Sequence, residues 1–282
     1  MITPSASTLG APGVPLDVVL SWLQQHHIHG VELRLAGGEI ADPDMDAAAR
    51  NDLRHRINAA GVQVTGIASY VKVAAPGADE TVVAGLIQAV DFARDLGAPM
   101  VRVFPGADTG PAACTDAPPL TEPREEVDGR AARRLSAVTS YAADSGVLPV
   151  LETHDSHPAG IDIAAILNRV DGPVGVVWDL LHPWRVGEQL EETWKTLEPW
   201  LATGRGSVQI KDADMPASST PLPIGKGSLP TEEFGRLLVR NAYRGAVTLE
   251  WEKAWYPEAA QLDVALPSLR TWLDRHWERD IN

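Results

Sequence analysis

The sequence predicts a single (β/α)₈ TIM barrel of 282 residues, and three observations predict it. Short β-branched runs alternate eight times with longer segments of helical periodicity, the order that builds a parallel sheet covered by helices. Glycines recur between the end of a helical segment and the next strand, at Gly61, Gly97, Gly146 and Gly245, where a chain often needs positive φ. No Gly/Ser-rich linker or charge block divides the chain, so residues 1–282 read as one domain, and such barrels typically run to about 250 residues. An open doubly wound sheet is the alternative, but closing eight strands on themselves leaves no edge to protect.

In order, the first strand is expected at Ile2–Ser7, weakened by Pro4, and the first helix at Leu16–His27. Strand Gly30–Leu35 leads to helix Asp46–Ala60, closed by Gly61; strand Val62–Ser69 leads to helix Asp79–Leu96, closed by Gly97. Strand Met100–Phe104 runs into a Pro/Gly/Ala-rich stretch, Pro105–Pro123, on the side where barrel enzymes enlarge their active-site loops. Helix Glu122–Ser145, strand Val147–Glu152, helix Ile161–Arg169, strand Val174–Asp179 and helix Glu188–Leu201 follow. The last units are strand Ser207–Lys211 with helix Thr231–Asn241, and strand Ala246–Trp251 with helix Glu258–Trp277.

The 24 Lys+Arg against 38 Asp+Glu give a formal charge of −14. That field repels polyanions, so no nucleic-acid partner is expected. No apolar run is long enough for a membrane span, and the first residues lack a basic flank and hydrophobic stretch, so a cytoplasmic protein without membrane contact is expected. The single Cys114 allows no internal disulfide and no thiolate metal site, and with no activating partner nearby it reads as an incidental thiol.

Functional side chains of a barrel sit at the carboxyl ends of its strands. Four consecutive strands end in polar residues there: Glu152, Asp179, Gln209 with Lys211, and Glu250. Neighbouring strands lie about 4.8 Å apart, so these groups converge at one mouth. Three carboxylates so placed repel one another unless a cation joins them. Oxygen ligands from Glu152, Asp179, Gln209 and Glu250 suit one hard divalent ion, Mn²⁺ or Mg²⁺, better than Zn²⁺.

An ordered set of motifs resembles the xylose-isomerase-like sugar isomerase/epimerase barrels over nearly the whole chain. It comprises Gly30-Val31-Glu32-Leu33-Arg34, Leu151-Glu152-Thr153-His154-Asp155, Trp178-Asp179-Leu180-Leu181-His182, Gln209-Ile210-Lys211-Asp212, Pro223-Ile224-Gly225-Lys226-Gly227 and the run Tyr243 to Glu250. The resemblance implies one divalent metal on Glu152, Asp179 and Glu250, with Glu152 and Glu250 also transferring protons. Family members add a His on strand seven, where this chain has Gln209. An amide oxygen can still ligate; otherwise Gln209 hydrogen-bonds substrate. The implied activity is isomerisation or epimerisation of a keto or aldo sugar through an enediolate.

Around this set, His182 stands three residues beyond Asp179 and His154 two beyond Glu152, each placed to contact substrate, whereas His157 reads as loop. Lys211 is expected either to stabilise an oxyanion or to pair with the carboxylates. Arg102 would bind an anionic substrate group, Trp184 and Trp255 would pack on a sugar face, and Glu32 and Arg34 read as structural. Nine Trp against three Phe also leaves Trp200, Trp272 and Trp277 for the core or for a second copy in a homo-oligomer. The small-molecule partner is a sugar or polyol. The rival readings are a dehydratase or lyase, such as an inosose or dehydroshikimate dehydratase or a glycoside eliminase, and a barrel subunit without catalysis. Apurinic-site endonucleases share the resemblance, but their many strand-end histidines are missing here.

Overall fold

The computed structural model describes residues 1–110 and 117–277; Cys114 and the middle of the Pro105–Pro123 stretch lie outside the described residues. Eight parallel strands close into one barrel in sequence order, β8 pairing back onto β1. The elements are β1 (Thr3–Ser7), α1 (Leu16–Gln25), β2 (Gly30–Arg34), α2 (Ala47–Ala59), β3 (Gln63–Lys72), α3 (Asp79–Leu96), β4 (Met100–Phe104) and α4 (Arg124–Asp144). They continue with β5 (Leu148–Glu152), α5 (Gly160–Leu167), β6 (Gly175–Asp179), α6 (Leu181–Arg185), α7 (Leu190–Leu201), β7 (Gly206–Ile210), α8 (Thr231–Arg240), β8 (Ala246–Leu249) and α9 (Leu262–Trp277). No helix among the described residues is long and apolar enough to cross a membrane.

The expected eight strand–helix units are all present, and closure removes both sheet edges. Strand β1 survives Pro4 because the flanking Thr3 N–H donates to the Gly245 carbonyl at 2.8 Å and Ser5 continues in register with Gly30. Gly97 ends α3 with φ 71°, the left-handed cap its position predicts. Gly175 and Gly206 open β6 and β7 for a different reason. A Cβ there would lie 2.2 Å from the Arg205 carbonyl oxygen and 2.3 Å from that of Val176, so only glycine lets the strands approach.

The bounds differ from expectation where side chains intervene. Strand β3 runs past Ser69 to Lys72 through a register shift against β4, and so carries Tyr70 to the mouth. Strands β7 and β8 stop at Ile210 and Leu249, leaving Lys211 and Glu250 one residue beyond their ends. The final helix starts at Leu262 because Lys253 Nζ binds the carbonyls of Pro257 and Ala259, and Trp251 Nε1 that of Ala260. Those carbonyls are spent on side chains instead of a helical turn. The short α6 was not expected, being too brief to show a period.

The core fills the space between strands and helices. Trp178 points outward from β6 and meets Phe234 of α8 edge-on, ring centroids 4.8 Å apart. Trp200, Trp272 and Trp277 are buried within the chain, so none of these rings is on offer to a second copy.

Candidate active site

Glu152 and Asp179 end β5 and β6, Gln209 lies on β7 in register with Asp179, and Glu250 follows β8 with its N–H donating to the Ile210 carbonyl at 3.0 Å. All four side chains are buried. Glu152, Asp179 and Glu250 each bring a carboxylate oxygen to within 4.8 Å of the others. The local sequence sets the Asp179 carboxylate: Oδ1 accepts from the Leu181 N–H at 2.7 Å, starting α6, while Oδ2 pairs with the Lys211 ammonium.

Five carboxyl groups meet here, from Glu32, Glu152, Asp179, Glu250 and Glu252, against the cations Lys211 and Arg102. Lys211 Nζ sits 2.8 Å from Asp179 Oδ2, hydrogen-bonds Glu252 Oε1 at 2.5 Å and contacts Glu250. Burial works against its charge, but these three carboxylates overcome it and hold the ammonium well above its usual range. Arg102 Nε lies 3.1 Å from Glu152 Oε2, with its guanidinium 3.8 Å over the Phe104 ring. Burial pushes the Glu152 carboxyl well up; Arg102 opposes this, while Glu250 and Asp179 add to it. Burial likewise lifts Glu32 to about 7, against the pull of Arg102.

The donor set fits a hard divalent cation. Glu152 Oε1 and Gln209 Oε1 are buried oxygen acceptors with neither a hydrogen bond nor an ion pair among the described residues, while Glu152 Oε2 and Asp179 Oδ2 have only their ion pairs to Arg102 and Lys211, and negative charge is in excess around them. Leaving such atoms bare costs about 1–3 kcal/mol each, more where charged, and a coordinated cation satisfies them together. Glu152, Asp179, Glu250 and Gln209 are the residues that would hold it.

The histidines form one wall. The rings of His154 and His182 lie 4.4 Å apart, and Phe104 is 4.3 Å from His154 on its other side. Burial chiefly, with positive neighbours, keeps His182 well below the ordinary imidazole range, so it is neutral with one ring nitrogen free to donate and one to accept. His157 matches its reading as loop, being fully buried with Nε2 3.0 Å from Asp128 Oδ1.

The outer residues divide. Trp255 is 53% exposed beneath Arg34, whose guanidinium is 4.8 Å from its ring. Arg34 is tied to Glu39 at 2.5 Å and to the Tyr70 hydroxyl at 2.7 Å, which agrees with its structural reading. Trp184 is partly buried against the core, while Trp178 and Trp251 point away into it. Glu32, read as structural, meets Gln209 inside the barrel. Glu252 and Tyr70 were not singled out at all; the two-residue step from Glu250 was the available signal for Glu252.

The Gln209-Ile210-Lys211-Asp212 and Pro223 to Gly227 motifs are joined by Asp212. Its Oδ2 accepts from the N–H groups of Gly225 at 2.8 Å and Gly227 at 2.9 Å, and Oδ1 from Ala213 at 3.0 Å and Leu229 at 3.2 Å. Asp212→Ala removes four acceptor contacts at a buried position and is expected to cost about 3 kcal/mol. Urea unfolding checks this; a loss under about 1 kcal/mol would detach the loop from Asp212.

No curated protein matches the sequence. The fold is shared with the probable 3-DHS dehydratase AsbF from Bacillus anthracis, at a TM-score of 0.74 and 16% identity over 96% of this chain and 98% of that one. D-psicose 3-epimerase from Clostridium cellulolyticum H10, solved with D-tagatose, gives 0.75 and 15% over 98% of each chain. The IOLI protein, solved with a bound zinc atom, gives 0.77 and 14% over 98% of this chain and 99% of that one. A family model described as xylose isomerase-like TIM barrel matches residues 20–273. The chain belongs to the xylose isomerase-like TIM barrel family.

Proposed function

We propose that residues 1–282 form one catalytic domain, a divalent-metal-dependent isomerase or epimerase of a keto or aldo sugar or related polyol derivative. The observation that carries this reading is the convergence of three buried carboxylates, Glu152, Asp179 and Glu250, at one mouth of the barrel, with Gln209 in register with Asp179 and its amide oxygen free of hydrogen bonds. A bound Mn²⁺ or Mg²⁺ supplies Lewis-acid polarisation of the substrate carbonyl.

The chain's own groups do the rest. Glu152 and Glu250 take and return the proton next to that carbonyl, through an enediolate. Glu152 Oε1 has no hydrogen bond or ion pair to surrender first, Oε2 being held by Arg102 at 3.1 Å. Neutral His182 and its neighbour His154 donate to and accept from substrate hydroxyls. Lys211 holds Asp179, Glu250 and Glu252 in place. Arg102, with Nη1 free of hydrogen bonds, would bind an anionic group of the substrate, while Trp184 and Trp255 would pack on a sugar face.

A dehydratase is the second reading, favoured by the His154–His182 pair beside Glu152, which would supply the proton donor that a departing hydroxyl needs. Calorimetric titration of chelator-treated protein with Mn²⁺ should give one site, and candidate sugars in D₂O should take up deuterium at the α-carbon without losing water. An unsaturated or deoxy product selects the dehydratase. No Mn²⁺ or Mg²⁺ binding, with turnover unaffected by EDTA, sinks the metal reading.

A further inference from the structure

Gln209 and Glu32 stand 177 residues apart in the chain, yet Gln209 Nε2 donates to both Glu32 oxygens at 3.3 Å. Both side chains are buried. An amide is a two-ended group: with its nitrogen facing two carboxyl oxygens, its oxygen must face the other way, and the reversed rotamer would set oxygen against oxygen. That oxygen, Oε1, is buried and has no hydrogen bond, on a strand position in register with Asp179. An ionised Glu32 offers only acceptors and so admits one orientation of the amide, whereas a Gln in its place offers a donor as well and leaves both rotamers open.

Resting on the metal reading above, we infer that Glu32 is a positioning residue that turns the Gln209 amide oxygen toward the cation. An imidazole offers a nitrogen lone pair from a rigid ring, whereas an amide can present a donor or an acceptor to the same place. A Gln at this position therefore needs a neighbour that claims its N–H₂ group.

The test compares Glu32→Gln in two backgrounds, wild type and Gln209→Ala. Loss of the Glu32 charge alone weakens Mn²⁺ binding equally in both, whereas loss of orientation acts only where Gln209 is present. With Mn²⁺ as the calorimetric probe, Glu32→Gln should weaken binding about 10- to 100-fold in wild type, and at least about fivefold less in the Gln209→Ala background. In metal-free protein, the Gln209 side-chain amide resonances, identified by their loss in Gln209→Ala, should sit downfield and move upfield in Glu32→Gln. Equal losses in the two backgrounds, or an amide pair indifferent to Glu32→Gln, overturn the inference. Failure of wild type to bind Mn²⁺ overturns the metal reading instead, and the amide spectrum of metal-free protein still reports whether the tether exists.

Discussion

Glu152→Gln is expected to abolish α-proton exchange, lowering turnover at least about 10³-fold while leaving the fold intact. The size follows from what the residue is asked to do, since a positioned general base contributes about 10²–10⁴. The substitution keeps the side chain's shape in a fully buried slot, so near-ultraviolet circular dichroism should be unchanged. Two roles are removed together, proton acceptor and metal ligand, and they can be separated. Raising Mn²⁺ to saturation restores a lost ligand's occupancy but not a lost base. Activity within threefold of wild type at saturating Mn²⁺ would remove Glu152 from proton transfer. Recovery of exchange in Glu152→Gln on adding Mn²⁺ would assign it to metal binding alone.

The barrel was legible because its signals are local. Each strand is a short apolar run, and a polar residue closing such a run stands out, which is how Glu152, Asp179 and Glu250 are found from the sequence. Residues whose role is fixed by closure of the barrel are not found that way. Glu32 and Arg34 read alike as structural in the sequence, and only the closed barrel shows their separate partners, Gln209 across the interior for Glu32 and Glu39 with Tyr70 for Arg34. The Asp212 tether shows the same limit from the opposite side. Gly225 and Gly227 are conspicuous in sequence, but only the folded loop shows their N–H groups spent on a carboxylate. The helix α6 escaped because five residues make less than two turns, while the Leu181 N–H donating to Asp179 Oδ1 couples the site to its own scaffold.

Lys211→Met is expected to have opposite effects on stability and on metal affinity, and the pairing is what makes it informative. In metal-free protein the ammonium lies among Asp179, Glu250 and Glu252, and burial would expel its charge if those carboxylates did not hold it. Removing one partner of a buried ion cluster costs about 3–5 kcal/mol, because the remaining charges are left uncompensated. Thermal unfolding of the chelator-treated variant should therefore fall by roughly 10 °C. The same cation stands 2.8 Å from Asp179 Oδ2, an oxygen that the divalent ion also needs. Its removal relieves like-charge repulsion, so Mn²⁺ should bind at least about tenfold more tightly, and saturating Mn²⁺ should recover more stability in the variant than it adds to wild type. A purely structural ion pair predicts the loss of stability without the gain in affinity. If Mn²⁺ bound more weakly to Lys211→Met, Lys211 would be supporting the ligand geometry more than it competes for the charge. Unchanged stability of the metal-free variant would mean that the cluster relaxes by protonation, with Glu152, already pushed up by burial, as the group placed to take the proton.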